Sequence, residues 1–125
     1  MILGTLLEQM ELEDRAEEMD PTLSTRMLFY INEHFYDKIT LDSMAMELGF
    51  NPSYLSRHFK ACFGIGFNQY LTMLRLRESV LLMQEGKSLS ECAFESGFGS
   101  LRTFHRVFSE EFQCTPKEYM NRMKI

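Results

Sequence analysis

The chain has 125 residues, 45% of them hydrophobic and 25% charged, an ordinary globular composition with room for one domain or two very small ones. No apolar run reaches the length of a membrane span. The net charge of −5 argues against a strongly basic nucleic-acid binder. That acidity is local, because Glu8, Glu11, Glu13, Asp14, Glu17, Glu18 and Asp20 against Arg15 put −6 into residues 1–21 and leave +1 for the rest.

Residues 2–10 carry Ile2, Leu3, Leu6, Leu7 and Met10 at helical spacing, followed by the charged EDRAEEMD and then Pro21. This is an acidic N-terminal segment or linker over residues 1–21, without the basic n-region of a signal peptide. It can dock on the rest of the chain, self-associate with a second copy, or trail an upstream domain. From Thr22 the pattern is helical. Leu28, Ile31 and Phe35 stripe a first helix; Thr40 caps a second with Leu41, Met44, Ala45 and Leu48 inward and Gly49 as its stop. Asn51 or Ser53 caps a third, burying Leu55, Phe59 and Cys62 or Phe63 before Gly64 and Gly66. A longer helix, Phe67 to Glu85, turns Phe67, Tyr70, Leu71, Leu74, Leu81 and Leu82 inward and spans roughly 28 Å. Ser88 caps the next, with Leu89, Cys92 and Ala93 inward. Ser100 caps a helix through Phe112 that buries Phe104 and Phe108, and Thr115-Pro116 opens a last one. No alternating run of strand length occurs.

The second half repeats the first. Thr40-Leu41 matches Ser88-Leu89, Ala45 matches Ala93 and Gly49-Phe50 matches Gly97-Phe98 at an offset of 48. Leu55, Arg57, Phe59 and Phe63 then match Phe104, Arg106, Phe108 and Phe112 at 49, so the second turn has one added residue. Each copy is a cap, a short helix with a small inward Ala, a Gly turn and a second helix: helix-turn-helix grammar. The expected fold is therefore all-α, about seven helices, with helix-turn-helix units at 22–66 and 87–125 joined by a connector at 67–86. The outward face of each second helix is polar, with Ser53, Ser56, Arg57 and Lys60 in one copy and Arg102, Thr103, His105 and Arg106 in the other. Such a face suits base edges in a major groove. Successive major grooves on one side of B-DNA lie about 34 Å apart, a separation that a connector of this length can set.

ITLDSMAMELGFNPSYLSRHFKACFGIGFNQYLTMLRL and SLSECAFESGFGSLRTFHRVFSEEFQCTPKEYM resemble, in order and spacing, the DNA-binding domain of the AraC/XylS family of bacterial transcription regulators. The resemblance runs from Leu28 to Arg122. It implies a cytoplasmic transcription regulator on asymmetric double-stranded promoter DNA, with activator as the expected role and repressor left open. RNA polymerase and an upstream sensing domain outside this chain are the further partners it suggests. The family's base-reading positions fall on Ser53, Ser56 and Arg57, and on Leu101, Arg102, Thr103, His105 and Arg106. Phosphates would be held at Asn68, Ser88, Ser100 and Thr115, together with Lys60 and Arg75. The chain departs from the family pattern at Ser79, at Ser109 with Glu110 and Glu111 behind it, and at Met120.

An enzyme finds no support. His34, His58 and His105 lack metal-ligand spacing, no CxxC accompanies them, and no GxxxxGK[ST] or GxSxG occurs. No cofactor is called for. Cys62, Cys92 and Cys114 read as reduced, packed thiols. The open alternative is a protein-interaction module on a helix-turn-helix scaffold, which the modest charge allows.

Overall fold

The computed structural model describes residues 21–123, so the amphipathic stretch expected at residues 2–10 lies outside the described residues. Among these, seven helices and no strand are present: α1 (Pro21–His34), α2 (Leu41–Leu48), α3 (Pro52–Phe63), α4 (Phe67–Gln84), α5 (Leu89–Glu95), α6 (Leu101–Phe112) and α7 (Pro116–Met123). None of them is long and apolar enough to cross a membrane. Two compact units are distinguished. Of the described residues, those up to Tyr30 with Thr40–Phe67 form one, and Ile31–Ile39 with those from Asn68 onward form the other.

In the first unit, α2 starts at a capping box. The Thr40 hydroxyl accepts from the Ser43 N–H at 3.0 Å, and the Ser43 hydroxyl accepts from the Thr40 N–H at 2.9 Å. It ends at Gly49, whose φ of +81° lets its N–H fold back to the Ala45 carbonyl. Leu23, Met27, Met44, Ala45, Leu55 and Phe59 are buried here. The buried stripe of α1 is thus Leu23–Met27–Ile31, and Leu28, expected inward, is only half-buried, because one position is a rotation of about 100°. On α3 the sequence pointed to Cys62 or Phe63. The structure buries His58 instead, leaves Cys62 exposed and half-buries Phe63. His58 lies on the stripe next to Phe59, and the Cys62 thiol, 3.5 Å from its Nε2, emerges at the helix's last turn.

The second unit is organised around Leu76, Leu82 and Met83 of α4, Cys92 and Ala93 of α5, Phe104 and Phe108 of α6, and Cys114. Tyr119 of α7 meets Phe108 edge-on at 5.4 Å. Burying each of those phenylalanines contributes roughly 1.5–3 kcal/mol. Leu81, expected inward, is 42% exposed; Ser79 and Met83, two positions to either side, take the interior, because two positions turn a helix by about 200°. Ser79 is satisfied inside by donating to the Leu76 carbonyl at 2.6 Å, and Ser96 by donating to the Cys92 carbonyl. Burial, followed by the carboxylates of Glu91 and Glu95, pushes the Cys92 thiol up to about 11, which suits a packed, inert cysteine.

Candidate nucleic-acid interface

The two helices with polar outward faces have the same length and start 49 residues apart, at Pro52 and Leu101. Each begins at a neutral cap. Asn51 Oδ1 accepts from the Ser53 and Tyr54 N–H groups at 2.8 and 3.3 Å, and Ser100 Oγ accepts from the Thr103 N–H at 3.1 Å. The residue added in the second turn is accommodated by Gly99, which like Gly97 takes a left-handed φ, +82° against +98°. Beyond the turn the copies run in register. Leu55 and Phe59 are buried in one, Phe104 and Phe108 in the other, all with no exposed surface.

The faces left outside are the ones read from sequence. Ser53, Ser56, Arg57 and Lys60 are exposed on α3, and Leu101, Arg102, His105 and Arg106 on α6. Thr103 stands apart from this set. It is half-buried, and its hydroxyl accepts from Ser100 Oγ at 3.0 Å, so it completes the cap. Among the described residues no ion pair engages Arg57. Arg106 lies 3.7 Å from Glu110, both well exposed.

Acid placement separates each of these helices from the one that precedes it. The first turns of α3 and α6 hold no carboxylate, whereas α2, α5 and α7 carry Asp42, Glu91 and Glu118 there. Glu91 and Glu118 reach back to the N–H groups of Ser88 and Thr115, each at 2.9 Å. Those backbone hydrogen bonds hold both carboxyls below the ordinary glutamate range. A carboxylate therefore already sits where a phosphate would approach Ser88 or Thr115, which speaks against the phosphate role expected of both. Ser100 and the exposed Asn68, in the first turn of α4, carry no such charge.

Arg75 is also placed differently from its expected role. It is half-buried, donating from Nε to the Phe35 carbonyl at 2.9 Å and from a terminal nitrogen to the Asp37 carbonyl at 2.8 Å, and burial lowers its pKa. That makes it a clamp on the chain leaving α1. A second arginine, Arg26 of α1, escaped the sequence reading. Arg26 is exposed, donates to the Leu48 carbonyl at 3.3 Å, and lies 5.9 Å from the Phe50 ring centre.

A family model described as a helix-turn-helix domain matches residues 44–122. The chain belongs to the AraC/XylS helix-turn-helix family. It carries the DNA-binding domain of such a transcription regulator. An uncharacterised helix-turn-helix-type transcriptional regulator of Staphylococcus aureus (strain COL) is 31% identical over 91 residues, 72% of this chain and 12% of that protein. The chain thus spans about an eighth of the length of that curated relative. Among solved structures, the C-terminal domain of AraT, a response regulator from Geobacillus stearothermophilus, superposes with a TM-score of 0.78 at 29% identity, covering 83% of this chain and 87% of that one. The DNA-binding domain of AdpA, a global transcriptional factor, in complex with a target DNA, shares the fold at a TM-score of 0.73 and 20% identity, covering 80% and 90%. Of the two copies only the second has an acidic run after its inner phenylalanine, Phe108. Glu110 and Glu111 stand where the first copy has Ala61 and Cys62.

Proposed function

We propose that α3 and α6 each enter a major groove of promoter DNA and read unlike half-sites. Ser53, Ser56 and Arg57 face base edges from the first unit, and Leu101, Arg102, His105 and Arg106 from the second. Arg57 and Arg106 are the bidentate partners for guanine, and Leu101 contacts a thymine methyl. Thr103 supports this face from within the cap. Lys60, Asn68 and the free N–H groups above Ser100 hold phosphates. One observation carries the proposal. The same exposed face occurs twice on acid-free helix starts, while the helix preceding each starts with a carboxylate. AdpA's complex with its target DNA supports the partner. The likeness to the C-terminal domain of a response regulator supports a place as the output part of a longer, cytoplasmic protein. RNA polymerase and a sensing domain would be its further contacts, and its role is binding rather than catalysis.

Selection from random duplex DNA tests this, followed by titration of variants at fixed salt. Arg57→Ala and Arg106→Ala should each weaken specific binding by about 1–3 kcal/mol and relax preference in one half-site. A variant with unchanged preference removes that arginine from the base-reading face. Selection that enriches no motif favours the protein-interaction alternative.

A further inference from the structure

We infer that Arg26 is a phosphate-binding residue of the first unit, a role that rests on the DNA-binding reading above and adds a contact that neither the motifs nor the family match assigns. The internal repeat supplies the comparison. Arg26 lies in α1, the helix before α2, and Arg75 in α4, the helix before α5. Arg75 is half-buried and bound to two main-chain carbonyls at 2.9 and 2.8 Å. Arg26 is exposed and, among the described residues, makes one long bond of 3.3 Å that uses one of its five donors. Its place is specific. The bond goes to the carbonyl of Leu48, the last residue of α2, and the guanidinium lies over the ring of Phe50, one residue before the Asn51 cap of α3.

That position has an electrostatic need. The C-terminal end of α2 exposes carbonyl oxygens and has no basic residue in its last turn. In helix-turn-helix docking the first helix crosses the DNA backbone while the second enters the groove, so this turn runs beside phosphates. Bare carbonyls there would repel them. Arg26 supplies the missing cation, and the Phe50 ring holds its planar group at the turn. The donors not used on Leu48 can then take phosphate oxygens as a fork.

The test uses the full 125-residue chain, labelled duplex of selected sequence and of scrambled sequence, and fluorescence anisotropy from about 50 to 200 mM salt. Arg26→Gln should weaken binding to both duplexes alike and lower the slope of log K against log salt by about one, while Arg26→Lys keeps the slope. Arg26→Met, a second neutral side chain able to cover Phe50, should repeat the loss. An unchanged slope in the two neutral variants overturns the inference. A purely structural clamp would weaken binding without moving the slope, and Lys would not preserve it. Arg57→Ala, run alongside, reports on base reading. If it alone is silent, the base-reading assignment of α3 fails and Arg26 stands; if the neutral Arg26 variants alone are silent, the reverse holds.

Discussion

Replacing Gly97 by alanine should cost far more than replacing Gly49, although the two glycines close equivalent turns. Both have left-handed backbone, φ +98° and +81°, where a Cβ costs about 1–2 kcal/mol. At Gly49 an added Cβ meets nothing within 4 Å, so that is its whole cost. At Gly97 it would run into the Phe35 carbonyl oxygen and stand 2.9 Å from Arg75 Nε and 3.1 Å from Tyr36 Cα. Two of these are main chain and cannot rotate away. Relief means displacing the segment after α1 and opening the 2.9 Å bond from Arg75 Nε to the Phe35 carbonyl. A hydrogen bond to a charged donor adds about 1.5–3 kcal/mol, which brings Gly97→Ala to about 3–5 kcal/mol against about 1–2 for Gly49→Ala. The chain has no tryptophan, so urea unfolding followed by far-UV circular dichroism is the suitable assay. Equal losses in the two variants, within about 0.5 kcal/mol, would refute the claim that close approach to Phe35, beyond backbone sign, requires glycine at position 97.

Glu110→Gln should tighten DNA binding several-fold while changing stability by less than about 0.5 kcal/mol, since it frees Arg106 from an exposed i,i+4 pair and removes a charge near phosphates. Weaker binding in anisotropy would mean that Glu110 positions Arg106 instead. In acid, the carboxyls of Glu91 and Glu118, lowered by their capping hydrogen bonds, lend stability that is complete above the unfolded glutamate value of about 4.3 and is lost as pH falls through the lowered folded values. Urea midpoints should therefore drop below about pH 5, and Glu91→Gln with Glu118→Gln should flatten that drop; an unaltered profile would assign the acid sensitivity elsewhere. Gln113→Gly should stabilise the protein by about 0.5–1 kcal/mol, because Gln113 sits at φ +60° where the first copy has Gly64 at φ +80°. A lower thermal midpoint would show that its side-chain bond to the Glu110 carbonyl, 2.9 Å, outweighs the backbone strain.

Helix existence and order were legible because caps and glycines are local signals. Thr40, Asn51, Ser88 and Ser100 each cap where the spacing placed them, and α4 ends at Gln84, one residue from expectation. The outward faces of α3 and α6 were legible for a related reason. A stripe of Leu55 and Phe59, or Phe104 and Phe108, fixes what is left outside. What failed depended on neighbours in space. Leu81 and Leu82 are equally apolar, and only the packing around α4 decides which is buried. Arg75 looked like a surface cation because its acceptors, the carbonyls of Phe35 and Asp37, lie about forty positions earlier. Ser88 and Thr115 looked like open helix starts because the same Glu that makes a capping box also blocks an anion, a conflict visible only once both hydrogen bonds are placed.

The two copies differ mainly where nothing packs. Ala45 and Ala93, Leu55 and Phe104, Phe59 and Phe108 keep their buried places, while Ser53 aligns with Arg102 and Ser56 with His105 in the repeat. The order of charge along each helix then matters. In α3 the cations are Arg57, mid-helix, and Lys60 in the last turn, and no acid follows. In α6 they are Arg102, in the first turn, and Arg106, level with Arg57, and Glu110 and Glu111 close the helix. Carboxylates at that end oppose the helix dipole and would repel a phosphate, so they are tolerable only where no DNA backbone comes near. On the proposed mode of binding, α6 therefore engages its groove with its first two turns alone, whereas α3 carries phosphate contact further along its length. The half-sites should differ in extent as well as in sequence. The second should show preference concentrated opposite Arg102–Arg106, and Lys60 should have no counterpart in its salt dependence.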